Sequence, residues 1–279
     1  MGVLLMTTNT HRQERGVTLL ELLVVLMILS IVLTAAVKTW DVTLERGRAQ
    51  TTASKLTQLV NVIVGDPDYI VVGQRADFGF VGDMGRVPDS LSELVKAPAG
   101  STTWRGPYIR STFNQSENGY RMDGWGDTII YGRQQYASRE SLFVRSYGGR
   151  GVADRSRWQT LNFPYPDTAL TNNQVWGQVY DMRGSLPVNY DQWTRLNVRI
   201  YYPSDGKPDS SDAPGAQIYQ DVGKLFKFFS IPQGTHRLVA VYTPPSGSPT
   251  YTTTQQVPVY PSVGAQGVTL RIPYDWSQP

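Results

Sequence analysis

The chain has 279 residues, 40% of them hydrophobic, with 26 Gly and 18 Pro, the composition of a folded, turn-rich protein of about two domains. A formal net charge of only +3 argues against a broad polyanion-binding surface, and so against nucleic acid as a partner. With 0 Cys and 2 His, disulfide frameworks, thiolate zinc sites and cysteine nucleophiles are excluded, and a Ser-His-Asp centre would have to use His11 or His236.

The first predicted element is the apolar run RGVTLLELLVVLMILSIVLTAAV, from Arg15 to Val37. No charge occurs from Leu22 to Val37, and a run of about 20 such residues suffices for one membrane-spanning helix. Glu21 is the exception, since a carboxylate inside hydrocarbon costs roughly 2.5–3.5 kcal/mol on insertion scales. A plain transmembrane anchor explains the length of the run but neither Glu21 nor the Arg15–Gly16 pair. On pattern alone, a signal-peptide cut within Leu33–Val37 (LTAAV) stays open, and so does a Glu21 that snorkels to the interface.

The helical pattern continues beyond the run. Ala49, Ala53, Leu56, Val60 and Ile63 recur at spacings of four and three, with Arg48, Lys55 and Gln58 on the opposite face. No proline precedes Asp66, and Gly65 with Pro67 supplies a stop. The pattern predicts one helix of about 45 residues whose second half packs on the domain that follows. In that domain, GDMGRVPDSLSELV (Gly82 to Val95) reads as a turn and a short helix capped by Asp89 or Ser90. WRGPYI (Trp104 to Ile109), DGWGDTIIYG (Asp123 to Gly132) and SLFVRSYGGRG (Ser141 to Gly151) follow, the last as a strand and loop.

Arg15, Gly16, Val17, Thr18, Leu19, Leu20 and Glu21 together resemble the processing motif of type IV pilins and of the pseudopilins of type II secretion. The resemblance implies that a prepilin peptidase cuts after Gly16, on the cytoplasmic side, and methylates the new amino terminus at Val17. Val17 stands where the family usually has phenylalanine. Arg12 and Arg15 in the implied leader agree with the positive-inside tendency. Glu21 would be the fifth mature residue, and its implied role is in assembly, compensating the amino terminus of a neighbouring subunit. In low dielectric a carboxylate and an ammonium attract strongly, and either alone is costly. The head segments are similar to those around the small sheet of major pseudopilins, and the likeness covers roughly residues 12 to 155. Many major pseudopilins hold calcium in the corresponding final loop. Here YGGRGVADR offers only Asp154 beside two arginines, against the six to eight oxygens calcium takes, so no metal and no cofactor is expected.

Arg157 to Gln174 reads as a polar connection. After it, VWGQVYDM, RLNVRIYYP, KLFKFFSIP, HRLVAVYTP, TQQVPVYP and GVTLRIP are short β-prone runs, which predict an antiparallel sandwich of about seven strands. FKFFSIPQGTHRLVAVY, Phe226 to Tyr242, resembles the signature stretch of carboxypeptidase-regulatory or transthyretin-like sandwiches, which implies a binding or spacer module. Asp205, Asp209 and Asp212 lack EF-hand spacing and read as a solvated loop. His236 reads as structural or surface-exposed, with no nucleophile pattern near it. The tyrosines and tryptophans could form a sugar- or protein-binding face, which the sequence does not locate.

The expected fold is α+β. A long amino-terminal helix, transmembrane and then amphipathic, packs on a small antiparallel pilin-like head, and a carboxy-terminal all-β sandwich follows. The expected boundaries are a leader at 1–16, the helix at 17–64 (spanning the membrane at about 17–37), the head at 65–155, a linker at 156–175 and the sandwich at 176–279. The expected function is that of a structural subunit of a cell-envelope filament, most simply of a type II secretion-like system, and not an enzyme. Expected partners are further copies of the chain and other pilin-like subunits, the prepilin peptidase, an inner-membrane assembly platform and the membrane itself. The precursor would sit in the bacterial inner membrane as a single-pass protein with its head in the periplasm, and the assembled form in a periplasmic or extracellular filament. A minor or tip subunit of a type IV pilus and a non-assembling membrane-anchored binding protein are the alternatives.

Overall fold

A computed structural model of the protein describes residues 18–109, 118–136 and 139–277. Helix α1 runs over Leu19–Val64, 46 residues in all, close to the predicted length. The chain divides into two compact units, one to Arg48 and one from Ala49 onward.

In the first unit, every residue from Leu19 to Val37 is exposed. The hydroxyls there do not disturb the helix. Ser30 Oγ donates to Leu26 O at 2.8 Å and Thr34 Oγ1 to Ser30 O at 2.7 Å, so each polar group is satisfied within its own turn. Charge returns at Lys38 and Asp41.

In the second unit, the last turns of α1 bury Thr52, Leu56, Leu59, Val60, Ile63 and Val64. The predicted face is rotated slightly: Ala53 is exposed and Thr52 takes its place, because Thr52 Oγ1 accepts a 2.8 Å bond from Gly124 N. Lys55, expected on the opposite face, is half-buried and donates through Nζ to Met122 O at 2.8 Å and Gly119 O at 3.3 Å. Its long stem lets the ammonium reach carbonyls at the rim. The helix stops where expected, at Gly65, whose φ of +91° suits glycine. A Cβ there would also lie 2.4 Å from Asp77 O.

The head begins with a hairpin of β1 (Ile70–Val71) and β2 (Gln74–Arg75), followed by α2 (Gly79–Met84). The helix expected near Ser90 is only a single 3₁₀ turn, Leu91–Leu94, with Ser90 Oγ on Ser92 Oγ at 2.6 Å and not on the backbone. Strands β3 (Ile130–Tyr136), β4 (Arg139–Ser146) and β5 (Gln159–Asn162) form an antiparallel sheet in that order. The stretch expected as a linker thus supplies β5, and then α3 (Asp167–Thr171), whose Leu170 is fully buried. Leu56, Leu59 and Ile63 of α1 pack with Phe80, Met84, Leu94, Leu142, Val144 and Leu170 in one core.

The carboxy-terminal region holds β6 (Asn173–Tyr180), α4 (Tyr190–Thr194), β7 (Leu196–Ser204), β8 (Lys207–Pro214) and α5 (Gly215–Gln220). Then come β9 (Phe226–Ile231), β10 (Gly234–Tyr242), β11 (Tyr251–Val259) and β12 (Ala265–Arg271). One sheet has the order β11-β10-β7-β8 and the other β12-β6-β9. All pairs are antiparallel except β6–β12, which is parallel and corrects the uniform expectation. The second correction is β8, an edge strand built from the acidic segment read as a loop. Its side chains are mostly exposed and it holds Pro208 and Pro214, so it carries no apolar alternation; charge and proline are how sheet edges avoid further pairing. The inner faces meet through Trp193, Leu196, Val198, Phe226, Phe228, Leu238 and Tyr242. Trp193 and Trp276 keep their indole N–H groups satisfied on Pro187 O (3.1 Å) and Ser185 O (2.8 Å).

Head and sandwich share a seam. Gly206 N donates to Met84 O at 2.8 Å, Thr102 N to Gly206 O at 2.7 Å, and Gln233 N to Leu170 O at 2.8 Å. At its centre lies the carboxy-terminal end of α1. Arg75 Nη2 donates to Val64 O at 2.8 Å and to Gly65 O at 3.0 Å. From the sandwich, Gln233 Nε2 donates to Val64 O at 2.7 Å and to Phe78 O at 3.0 Å. The carbonyls of Val64 and Gly65 have no partner within the helix and would be costly if left bare, whereas Phe78 O also accepts from Gly82 N at 3.0 Å. The turn that aims Gln233 is held by His236, whose Nε2 donates to Pro232 O at 2.7 Å. His236 is structural, as one of its two readings had it, and is 2% exposed. Burial pushes its pKa down to about 4, so the ring is neutral at physiological pH.

Two outcomes are expected. Gln233→Leu keeps the volume but removes one donor each from Val64 O and Phe78 O, and should cost about 1 kcal/mol in urea unfolding followed by tryptophan fluorescence; an unchanged midpoint would contradict the capping role. His236 binds a proton more readily unfolded than folded, so its neutral state supports the fold above its ordinary pKa. That support is lost as pH falls from 6.5 towards about 4, amounting to roughly 3 kcal/mol. In His236→Gln the pH dependence of stability over this window should flatten; identical slopes for variant and wild type would refute the assignment.

Candidate functional site

The segment that begins α1 is built from its first residues. Thr18 caps the helix, its Oγ1 accepting from Glu21 N at 3.3 Å and its carbonyl from Leu22 N at 3.1 Å. Threonine followed three residues later by glutamate is the capping-box spacing. Glu21 therefore stands in the first turn, where a carboxylate also favours the helix dipole. It is exposed, on a helix whose next residues are all apolar, and is free to meet a group from another molecule. Gly16 and Val17, the expected processing residues, lie outside the described residues.

Downstream, 14 large apolar side chains between Leu19 and Val37 are exposed. The most apolar 18-residue window of α1 has a mean hydropathy of 2.7 and none of it is buried. At roughly 1.5 kcal/mol or more for each side chain removed from water, such a surface leaves on the order of 20 kcal/mol unrealised in an isolated chain. Lipid or neighbouring helices can both cover it. Trp40, 68% exposed just past Lys38, has the aromatic character of residues that settle at a membrane–water boundary. The sequence carries that signal in a tryptophan placed just after the first charge that ends the apolar run.

The other residues singled out from sequence do not converge. Asp154 Oδ1 accepts from Ser156 N at 3.1 Å and from Ser156 Oγ at 2.5 Å, and these bonds hold its carboxyl below the usual range. The loop around it is held by Trp158, whose ring lies 5.1 Å from that of Tyr147 and beneath the guanidinium groups of Arg145 (4.7 Å) and Arg155 (5.4 Å). Nearby, Asp123 Oδ1 accepts from Trp125 N and Asp127 N, both at 2.9 Å, and Oδ2 from Ser146 Oγ at 2.5 Å. The acidic trio is dispersed. Asp205 lies 2.8 Å from Arg86, Asp209 accepts from Ser210 N at 2.7 Å, and Asp212 takes a two-pronged bond from Arg199 at 2.7 and 2.8 Å. Among the described residues, no three His, Cys, Asp or Glu side chains gather as a metal site.

A family model described as "Prokaryotic N-terminal methylation motif" matches residues 11–37. The type II secretion system core protein G of Xanthomonas campestris pv. campestris is 29% identical over 118 residues, which are 42% of this chain and 68% of that protein. More than half of the present chain therefore lies outside that alignment. No solved structure matches the chain. The homology points to a structural protein and to an inner-membrane-anchored precursor that assembles with other pilin-like subunits. A methylation motif leading into a bare apolar helix, together with homology to a core protein of type II secretion, supports placing the chain with the type IV pilins and pseudopilins.

Proposed function

We propose that the chain is a pseudopilin-like subunit of a filament built by a type II secretion-like system. The observation that carries this reading is the fully exposed apolar surface of α1 directly behind the methylation motif. Removal of residues 1–16 by the prepilin peptidase leaves Val17 as a methylated amino terminus. The apolar helix first sits in the inner membrane, with the residues from Ala49 onward on the periplasmic side. At the assembly platform it leaves lipid, and its surface is covered again by the helices of neighbouring subunits. Apolar burial is nearly unchanged by that exchange, so the charged groups decide the register. Glu21 and the amino terminus of the adjoining subunit are each costly alone in low dielectric and favourable together. That pair supplies the stagger between subunits.

A second reading is favoured by one specific observation. The sandwich falls in a chain of which only 42% aligns with the secretion-system relative, and an added domain of this size suits a minor or tip subunit of a type IV pilus that binds a partner. Immunogold labelling separates the two, with label along the filament expected for the first reading and label confined to tips for the second.

Mass spectrometry of the mature amino terminus should find methylated Val17; a start after Ala35 or Ala36 would overturn the class of processing. Glu21→Ala should lower filament incorporation at least tenfold while leaving membrane insertion of the precursor intact. Full incorporation of that variant would remove the pairing role, and a wild type that never enters a filament would favour an anchored binding protein.

A further inference from the structure

The aromatic and polar face that composition leaves unplaced lies in a groove of 680 Å³ between head and sandwich. That volume falls within the roughly 300–1,000 Å³ of small-molecule sites. Its head wall is rigid. Trp104 Nε1 donates to Glu93 O at 2.9 Å, and the indole meets Tyr108 edge-on at 5.8 Å. A Cβ on Gly106 would fall 2.4 Å from the indole, so the ring is seated against bare backbone. The Tyr108 hydroxyl donates to Asp83 Oδ2 at 2.8 Å, and burial raises the pKa of both partners. The opposite wall is the solvent face of the four-stranded sheet, where Gln256, Arg237 and Tyr201 are direct neighbours on β11, β10 and β7. The Arg237 guanidinium carbon sits over Tyr201, 4.2 Å from the ring centre, and makes no ion pair with a described residue.

Charge and backbone narrow the occupant. Three carboxylates (Asp77, Asp83 and Asp209) and two guanidinium groups (Arg105 and Arg237) line the groove, a near balance that disfavours polyanions and polycations alike. Strands β7 and β10 are paired on both sides and the nearby edge strand β8 carries two prolines, so the groove offers an extended peptide little free backbone. What it does offer is fixed aromatic surface beside donors and acceptors in mixed array. A sugar matches this pattern: its ring has an apolar C–H face, and each hydroxyl both donates and accepts.

We propose that the groove binds a neutral oligosaccharide, with a sugar ring on Trp104 and its hydroxyls bonded to Arg237, Gln256 and Asp209. This holds whichever filament the chain enters, since it rests on residues remote from the methylation motif. The test uses the full chain in a detergent without a sugar headgroup. It is applied to an array of neutral and anionic oligosaccharides, and the best-retained neutral compound is then titrated by tryptophan fluorescence. Saturable binding of at least one neutral oligosaccharide is expected. Arg237→Ala and Gln256→Ala, both at exposed positions, should each weaken it about tenfold, and Phe229→Ala, outside the groove, should not. Retention of no neutral oligosaccharide, retention of anionic ones alone, or affinity unchanged in both groove variants would each overturn the proposal. Near-UV circular dichroism identical to wild type accompanies each variant, so lost binding is not lost folding.

Discussion

The fold turns on how one helix ends. At Val64 and Gly65 the carbonyls of α1 run out of partners within the helix, in a place that water does not reach. Arg75 answers them from the hairpin that follows and Gln233 from the sandwich, far along the chain. Asp77 completes the arrangement by accepting from Asp66 N and Gly79 N, both at 2.9 Å. Val64 O is met by both donors, while Gly65 O depends on Arg75 and the amides of Asp66 and Gly79 depend on Asp77. The geometry of the seam is thereby defined by hydrogen bonds, which are directional, where apolar packing alone would be permissive.

Around that point, head and sandwich behave as one body with two cores. The head core gathers the last turns of α1 against α2 and its own sheet, while the sandwich core is closed by Trp193, Tyr242, Tyr274 and Trp276. Backbone bonds through Gly206 join the two regions. Gly85 shows how close the approach is: its φ is +71°, and a Cβ there would lie 2.0 Å from Pro203 O. The groove is a product of this seam, since neither wall alone encloses a ligand.

The opposite condition rules the first unit. There the apolar surface is continuous and uncovered, and one carboxylate is kept at its very start. A soluble protein hides such a surface in its own core; this one leaves it for lipid or for other subunits. Division of labour follows from solvent alone, with directional polar bonds in the water-facing unit and an undirected apolar surface in the part that lipid or other helices can cover.

Much of this was legible in the residues. Composition and the run from Leu19 to Val37 determined a membrane-competent helix, because hydrocarbon accepts little else. Gly65 marked its end, and alternation in segments such as Leu196–Tyr202 marked six of the seven sandwich strands, since a half-buried strand must repeat every two residues. Local patterns could not reveal β8, whose side chains face water on an edge and whose place depends on the partner β7 and the Asp212–Arg199 bond. The parallel pairing of β6 with β12, the rotation of the α1 face towards Thr52, and the use of Lys55, Arg75 and Gln233 as donors were likewise decided only by tertiary structure. Each depends on which carbonyl, amide or strand folding brings alongside, and local sequence spacing carries no record of partners such as those of Lys55, Thr52 and Gln233, which lie 67, 72 and 169 residues away.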